Sequence, residues 1–162
     1  MDITFERATP EDAEKLLEIQ KEAFQEALRL YEDYGTNPAF DSLQKITHRI
    51  LSHHYYKVMA DGTMVGGVHA EDKGEGRYYL HRIFIHPRYE NLGIGKQAMT
   101  FIENLEACRN ASVWMLDTPH KSYKNHAFYE KLGYVKTGEE KKISEKLTLL
   151  YYTKTVKRHE EG

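Results

Sequence analysis

Among 162 residues there is a single cysteine, Cys108, so no disulfide can form within the chain, and zinc sites built on two or four cysteines are excluded. Long apolar runs are missing as well. No stretch approaches the ~20 consecutive apolar residues of a membrane-spanning helix. Charge of one sign is not in excess: Lys and Arg number 23 against 25 Asp and Glu, a net charge of −2. That leaves out the strongly basic footprint of a nucleic-acid binder. The opening residues, Met1-Asp2-Ile3-Thr4-Phe5-Glu6-Arg7, lack the basic start and apolar stretch of a secretory signal. The expected compartment is therefore a reducing cytoplasm, with no membrane and no nucleic-acid partner. Internal repeats, low-complexity tracts and linkers are also lacking. What is present is 40% hydrophobic, 30% charged and 12% aromatic residues, a globular composition. A chain of this length buries roughly 68–70% of its unfolded surface, and one domain over residues 1–162 is expected.

Alternation around Ile3 and Phe5 suits a first strand. Thr9-Pro10-Glu11-Asp12 then supplies a cap, a proline for the first helical position and acids for the first turn. Apolar residues from Ala13 to Tyr31 follow at helical spacing until Gly35. A second helix is predicted from Asp41, with Gln44 as capping-box partner and Leu43, Ile46, Ile50 and Leu51 as its buried face. Asp61-Gly62 predicts a hairpin between residues 55–60 and 63–70. A looser turn at 73–76 leads into an aromatic strand over 78–86. A helix over 93–108, a buried strand over 111–117, a short helix over 122–132 and strands over 134–137 and 147–156 complete the series. The order β-α-α-β-β-β-α-β-α-β-β is that of an α/β or α+β domain with a mixed sheet.

The most informative segment is Ile83-Phe84-Ile85-His86-Pro87-Arg88-Tyr89-Glu90-Asn91-Leu92-Gly93-Ile94-Gly95-Lys96: strand, proline break, glycine turn, helix start. First-turn amides of a helix lack intrahelical partners and sit at its positive end, which favours a phosphate. Gly93 and Gly95 carry no Cβ to hinder approach to the backbone, and Lys96 adds charge. The spacing is neither a Rossmann fingerprint nor a Walker A loop.

This stretch resembles the acyl-CoA-binding motif of the GNAT superfamily of N-acetyltransferases, strand, Pro, Q/R-x-x-G-x-G/A, helix. Downstream, Phe128-Tyr129-Glu130-Lys131-Leu132-Gly133-Tyr134 is similar to the family's F-Y-E-K-x-G-F/Y segment. The resemblance covers nearly the whole chain. It implies a mixed, mostly antiparallel, split sheet of six to seven strands flanked by about four helices. It implies acetyl-CoA as co-substrate, with the amides of Asn91, Leu92, Gly93, Ile94, Gly95 and Lys96 around its pyrophosphate. Backbone groups of Ile83, Phe84 and Ile85 would pair with the pantetheine arm, and one amide there would polarise the acetyl carbonyl. Three departures stand out: Glu90 replaces the usual Gln or Arg, Asn91 and Leu92 replace the usual Gly and Arg or Lys, and Ser122 stands where Asn is common, with Asn125 three residues on. Ser122 and Asn125 are both candidates for contact with CoA.

The resemblance also assigns Tyr129 as general acid to the leaving thiolate; a tyrosine of ordinary pKa is protonated at neutral pH. The acceptor would be a small-molecule or peptide amine, attacking directly in a ternary complex. An amine with a pKa near 10.4 needs a base. His81 is chosen; Tyr79, Glu71, Asp72 and Asp117 are further candidates. Two-residue spacing puts His81 on the face of Ile83. Tyr31, Tyr34 and Phe40 are candidate aromatic walls for an ammonium. No metal is expected, because His53 and His54 are adjacent on a strand, point to opposite faces and have no third ligand at sensible spacing. The Lys-rich stretch 136–146 reads as a solvated edge, and the final strand over 147–156 offers an edge to a second copy in a homodimer. The reading of another class is a non-catalytic acyl-CoA-binding sensor or regulatory module.

Overall fold

The computed structural model describes residues 1–156. Seven strands form one sheet in the order β1-β2-β3-β4-β5-β7-β6. They are β1 (Ile3–Arg7), β2 (His54–Ala60), β3 (Thr63–Gly74), β4 (Arg77–Ile85), β5 (Val113–Pro119), β6 (Val135–Lys142) and β7 (Thr148–Thr155). All neighbours are antiparallel except β4 and β5, which run parallel. The hairpin of β2 and β3 turns on Asp61 and Gly62, both at positive φ (48° and 81°), the two-residue turn that matches strand twist.

Helices α1 (Ala13–Ala23) and α3 (Leu43–Ser52) accompany one face of the sheet, α4 (Ile94–Glu103) and α5 (Tyr123–Lys131) the other, and α2 (Gln25–Tyr31) follows α1. The expected first helix is thus two. Phe24 leaves the helical range, and Gln25 Nε2 donates to the Lys21 carbonyl at 3.0 Å, a side chain taking an acceptor the backbone ladder would use. The run stops at Glu32, at φ 48°, rather than at Gly35. Helix α3 is capped by Ser42, whose hydroxyl accepts from the Lys45 amide at 3.1 Å, not by Asp41 with Gln44. Its buried residues are Ile46 and Ile50; Leu43 and Leu51 are exposed. Asp41 instead accepts from Gln20 (2.9 Å) and Arg49 (2.7 Å), tying α1 to α3. The helix expected over 93–108 closes at Glu103, and a short turn follows over Glu106–Cys108.

Under α4, the core holds Val58, Val68, Tyr78, Leu80, Met99, Ile102, Trp114 and Tyr152. Under α1 and α3 it holds Leu16, Ile19, Ile46, Ile50, Tyr55 and Phe84. Cys108 is buried and free; burial pushes its thiol up to about 11, consistent with a packing residue.

Strand β7 is not an edge. It lies between β5 and β6, so the expectation of an exposed final strand is corrected: the edge belongs to β6. Every residue of β6 is exposed, and Lys136, Glu139, Glu140, Lys141 and Lys142 charge it heavily, a composition that discourages strand addition. The sequence could not place β7 inside because the fold brings the later strand back beside β5.

Candidate active site

Two local departures from regular strand geometry create the site. The first is that β4 and β5 pair only at Arg77–Val113, Tyr78–Trp114 and Tyr79–Met115. Beyond Tyr79 the strands part, and the β5-facing edge of β4 at residues 83–85 is left free of sheet partners. The second is a β-bulge in β4. Arg82 faces His69 and Leu80 faces Ala70, so His81 is the extra residue. Leu80 and Ile83, three apart, consequently serve the same core under α4. His81 points the other way, stacking on His53 with ring centroids 4.8 Å apart. The expectation that His81 shares a face with Ile83 is therefore wrong, because period-two spacing fails across a bulge.

The opening between the strands is a cleft of about 720 Å³. Ile83 and Ile85 line it on one side, Ser122, Asn125 and Tyr129 on the other, and Asn91, Gly93, Ile94, Gly95 and Lys96 close one end. Gly93 caps α4 at φ 79°, and Asn91 stands at φ 62°. Positive φ at these two shapes the turn into α4, whose first residues Ile94, Gly95 and Lys96 line the cleft, and at Gly93 glycine meets that demand without strain. Gly95 is different: a Cβ there would meet the Phe128 ring at 3.4 Å, an ordinary contact, so packing between α4 and α5 does not by itself demand glycine. Phe84 sends its side chain into the opposite core, and Leu92 is 53% exposed and outside the cleft lining, so only the backbone of each is available to a ligand. The positive charge that Asn91 and Leu92 fail to supply comes from elsewhere. Lys121 and Lys124 line the cleft along with Lys96 and Glu90, and Lys124 Nζ donates to Asn91 Oδ1 at 2.6 Å. Motif reading missed both lysines because they belong to a different element.

Tyr129 is buried in the cleft wall, and burial together with Asp117 raises its pKa above the ordinary tyrosine value, keeping it protonated. Ser122 Oγ is 2.9 Å from the Tyr31 hydroxyl, and Asn125 Nδ2 donates to Thr118 Oγ1 at 3.4 Å. Of the proposed aromatic walls, Tyr31 lines the cleft; Tyr34 and Phe40 are exposed and pack on each other.

His81 does not line the cleft; Arg82 separates it from Ile83, a lining position of β4. Its Nε2 is 2.7 Å from Glu71 Oε1. The His81 contact and Lys73 hold Glu71 below its ordinary pKa, so this carboxylate is an acceptor and the Nε2 of His81 must be the donor. Burial lowers the His81 pKa despite Glu71, which keeps the ring neutral with its lone pair on Nδ1. Deeper in the split, Tyr79 donates to Asp117 of β5, bridging the two strands where they part. His53 and His54 do point to opposite faces: His54 lies near Tyr78, while His53 joins His81, His69 and Glu71. The companions of His53 come from other strands, which spacing along the chain does not reveal.

A sheet split beside a glycine-capped helix, with a buried tyrosine opposite, defines the fold class of the acetyltransferases. The chain belongs to the acetyltransferase (GNAT) family, whose sequence profile matches residues 13–134. Solved structures agree on the fold. The PaiA N-acetyltransferase of Thermoplasma acidophilum, in complex with coenzyme A, is 18% identical with a TM-score of 0.73, covering 96% of this chain and 100% of that one. The ribosomal-protein-S18-alanine N-acetyltransferase of Escherichia coli is 13% identical at a TM-score of 0.77, covering 99% and 97%. A GCN5-related N-acetyltransferase of Rhodopseudomonas palustris is 21% identical at 0.76, covering 96% and 97%. No curated protein matches in sequence.

Proposed function

We propose that the chain transfers an acetyl group from acetyl-CoA directly to a primary amine within a ternary complex. The observation that carries this is the unpaired edge of β4 at residues 83–85, aligned with the free amides at the start of α4 and faced by Tyr129. Those groups fit the co-substrate: an open edge for the amide-bearing arm, helix-end amides and three lysines for the phosphates. Acetyl-CoA supplies the thioester whose acyl carbon the amine attacks. A backbone amide of residues 83–85 then polarises the carbonyl. Tyr129 donates its phenolic proton to the departing thiolate, and burial keeps that proton in place until the sulfur needs it. His81, held by Glu71, takes the ammonium proton on Nδ1 through intervening solvent.

Supporting the acyl-transfer reading, the structural relative from Thermoplasma acidophilum holds coenzyme A, and other relatives bear the names of N-acetyltransferases. The test is thiol release from acetyl-CoA against a panel of amines, with calorimetric CoA binding in parallel. Tyr129→Phe should lower kcat by about 10²-fold or more while CoA affinity stays within a few-fold. Unchanged turnover in this variant would remove Tyr129 as the acid, and failure of the wild type to bind CoA would overturn the proposal as a whole.

A further inference from the structure

His53, Glu71 and His81 come from the C-terminal cap of α3, from β3 and from the bulge of β4, and their ligand atoms all lie within 4.8 Å of one another. Glu71 Oε1 is 2.7 Å from His81 Nε2 and 3.7 Å from His53 Nε2. Both imidazoles thus aim the same ring nitrogen at one carboxylate oxygen. The two rings are stacked within 12° of parallel, so an ion between the two Nε2 atoms comes into both ring planes only once one imidazole rotates out of the stack. We propose that this cluster is a binding site for a zinc-like divalent ion, with three protein ligands and an open position.

Two nitrogens and one carboxylate oxygen form a donor set suited to Zn²⁺ with a fourth position left to solvent. Tetrahedral ligation at ~2.0–2.2 Å needs ligand atoms about 3.3 Å apart. The two contacts to Glu71, at 2.7 and 3.7 Å, bracket that spacing. The site is reachable: the Glu71 and His81 side chains are 32% and 29% exposed, whereas His53 is only 11% exposed and held in place by its neighbours. A supporting partner stands behind the site. His53 Nδ1 lies 3.0 Å from Nδ1 of the buried His69. Ligation through His53 Nε2 puts the proton on Nδ1, which then donates to His69, the outer-shell arrangement that orients metal-bound imidazoles. Against the ion stands Lys73, whose Nζ is 3.2 Å from Glu71 Oε1. A cation already occupies the carboxylate's outer side, and a metal ion must displace it.

The site also touches the proposed chemistry, and this part rests on the proposed function. An ion on His81 Nε2 drives the ring proton to Nδ1, the atom that must be bare to take a proton from the amine. Zinc occupancy therefore blocks acetyl transfer without touching the CoA cleft.

The test uses the tag-free full chain, stripped with chelator and titrated with Zn²⁺ in a calorimeter, beside rate measurements with and without Zn²⁺. One equivalent should bind, and His53→Ala should weaken it at least 10-fold. Lys73→Gln, an exposed change that leaves packing alone, should tighten it several-fold. Zinc should inhibit the wild type at occupancies set by the same binding curve and spare His53→Ala. Absence of a one-to-one site, or affinity unmoved in both variants, overturns the site. Binding as expected with unaltered rates overturns the inhibitory role. Binding as expected in a chain that acetylates no amine supports the site and counts against the proposed function instead.

Discussion

The two faces of the sheet are built from different materials. Under α4 and α5 the core is aliphatic and aromatic, and its tyrosine hydroxyls reach carboxylates: Tyr134 donates to Glu103 at 3.3 Å and Tyr152 to Glu130 at 3.1 Å. Behind the opposite face, the end of β2, β3 and β4 near the split carries Tyr55, His69, Glu71, Tyr79 and His81, joined by His53 from the end of α3, ring upon ring. There the Tyr55 hydroxyl and His69 Nε2 are buried with no partner among the described residues. Unsatisfied buried polar atoms cost stability. The difference teaches a division of labour: one face is given over to packing, and the other, beside an apolar core of its own, accepts a penalty in order to present titratable groups beside the split.

The strongest way to break this comparison is on the stable face. Trp114 is almost fully buried against Tyr78. Trp114→Ala should lower unfolding free energy by about 3–5 kcal/mol in a urea titration; a loss under about 1 kcal/mol would show that this face is not the source of stability. Next comes the reactive face. His81→Gln should reduce kcat by about 10²-fold while the denaturation midpoint moves far less than for Trp114→Ala; the reverse pattern would make His81 a packing residue. A smaller effect sets the scale: Ser42→Ala removes the cap of α3 and should cost about 1 kcal/mol, read from the same titration.

The smallest expected effect is a pH dependence. Asp12 is opposed by burial, yet the Thr9 amide and Lys57, at 3.1 Å, outweigh it and hold the carboxyl below 3.8. A lowered folded-state pKa means that the ionised form is favoured by folding. Its stabilisation is fully present above the unfolded pKa and is lost as pH falls through the folded one. The stability gap between the wild type and Asp12→Asn should therefore be constant at neutral pH and close below about pH 4. A gap that persists in acid would assign Asp12 a role other than charge.

Much of this was legible in the sequence where the causes are local. Asp61-Gly62 dictates its own turn, and Gly93 before an apolar-periodic helix announces both its cap and the amides at its start. What escaped was set by pairing across distance. The bulge at His81 exists only in register with β3, so the histidine's face could not be read from β4 alone. The cluster of His53, Glu71 and His81 draws on the end of α3 and on two strands, and Lys121 and Lys124 reach the cleft from beyond the motif. The place of β7 between β5 and β6 depends on chain return, not on the residues of the strand.

The brief pairing of β4 with β5 carries a thermodynamic consequence. Three residue pairs join the block β1-β2-β3-β4 to the block β5-β7-β6, so on the proposed function the missing length of seam is completed by a diffusible molecule. Folding and occupancy are then linked equilibria. Above its dissociation constant, each tenfold rise in free CoA should add about 1.4 kcal/mol to the unfolding free energy, and the melting temperature becomes a readout of cofactor supply.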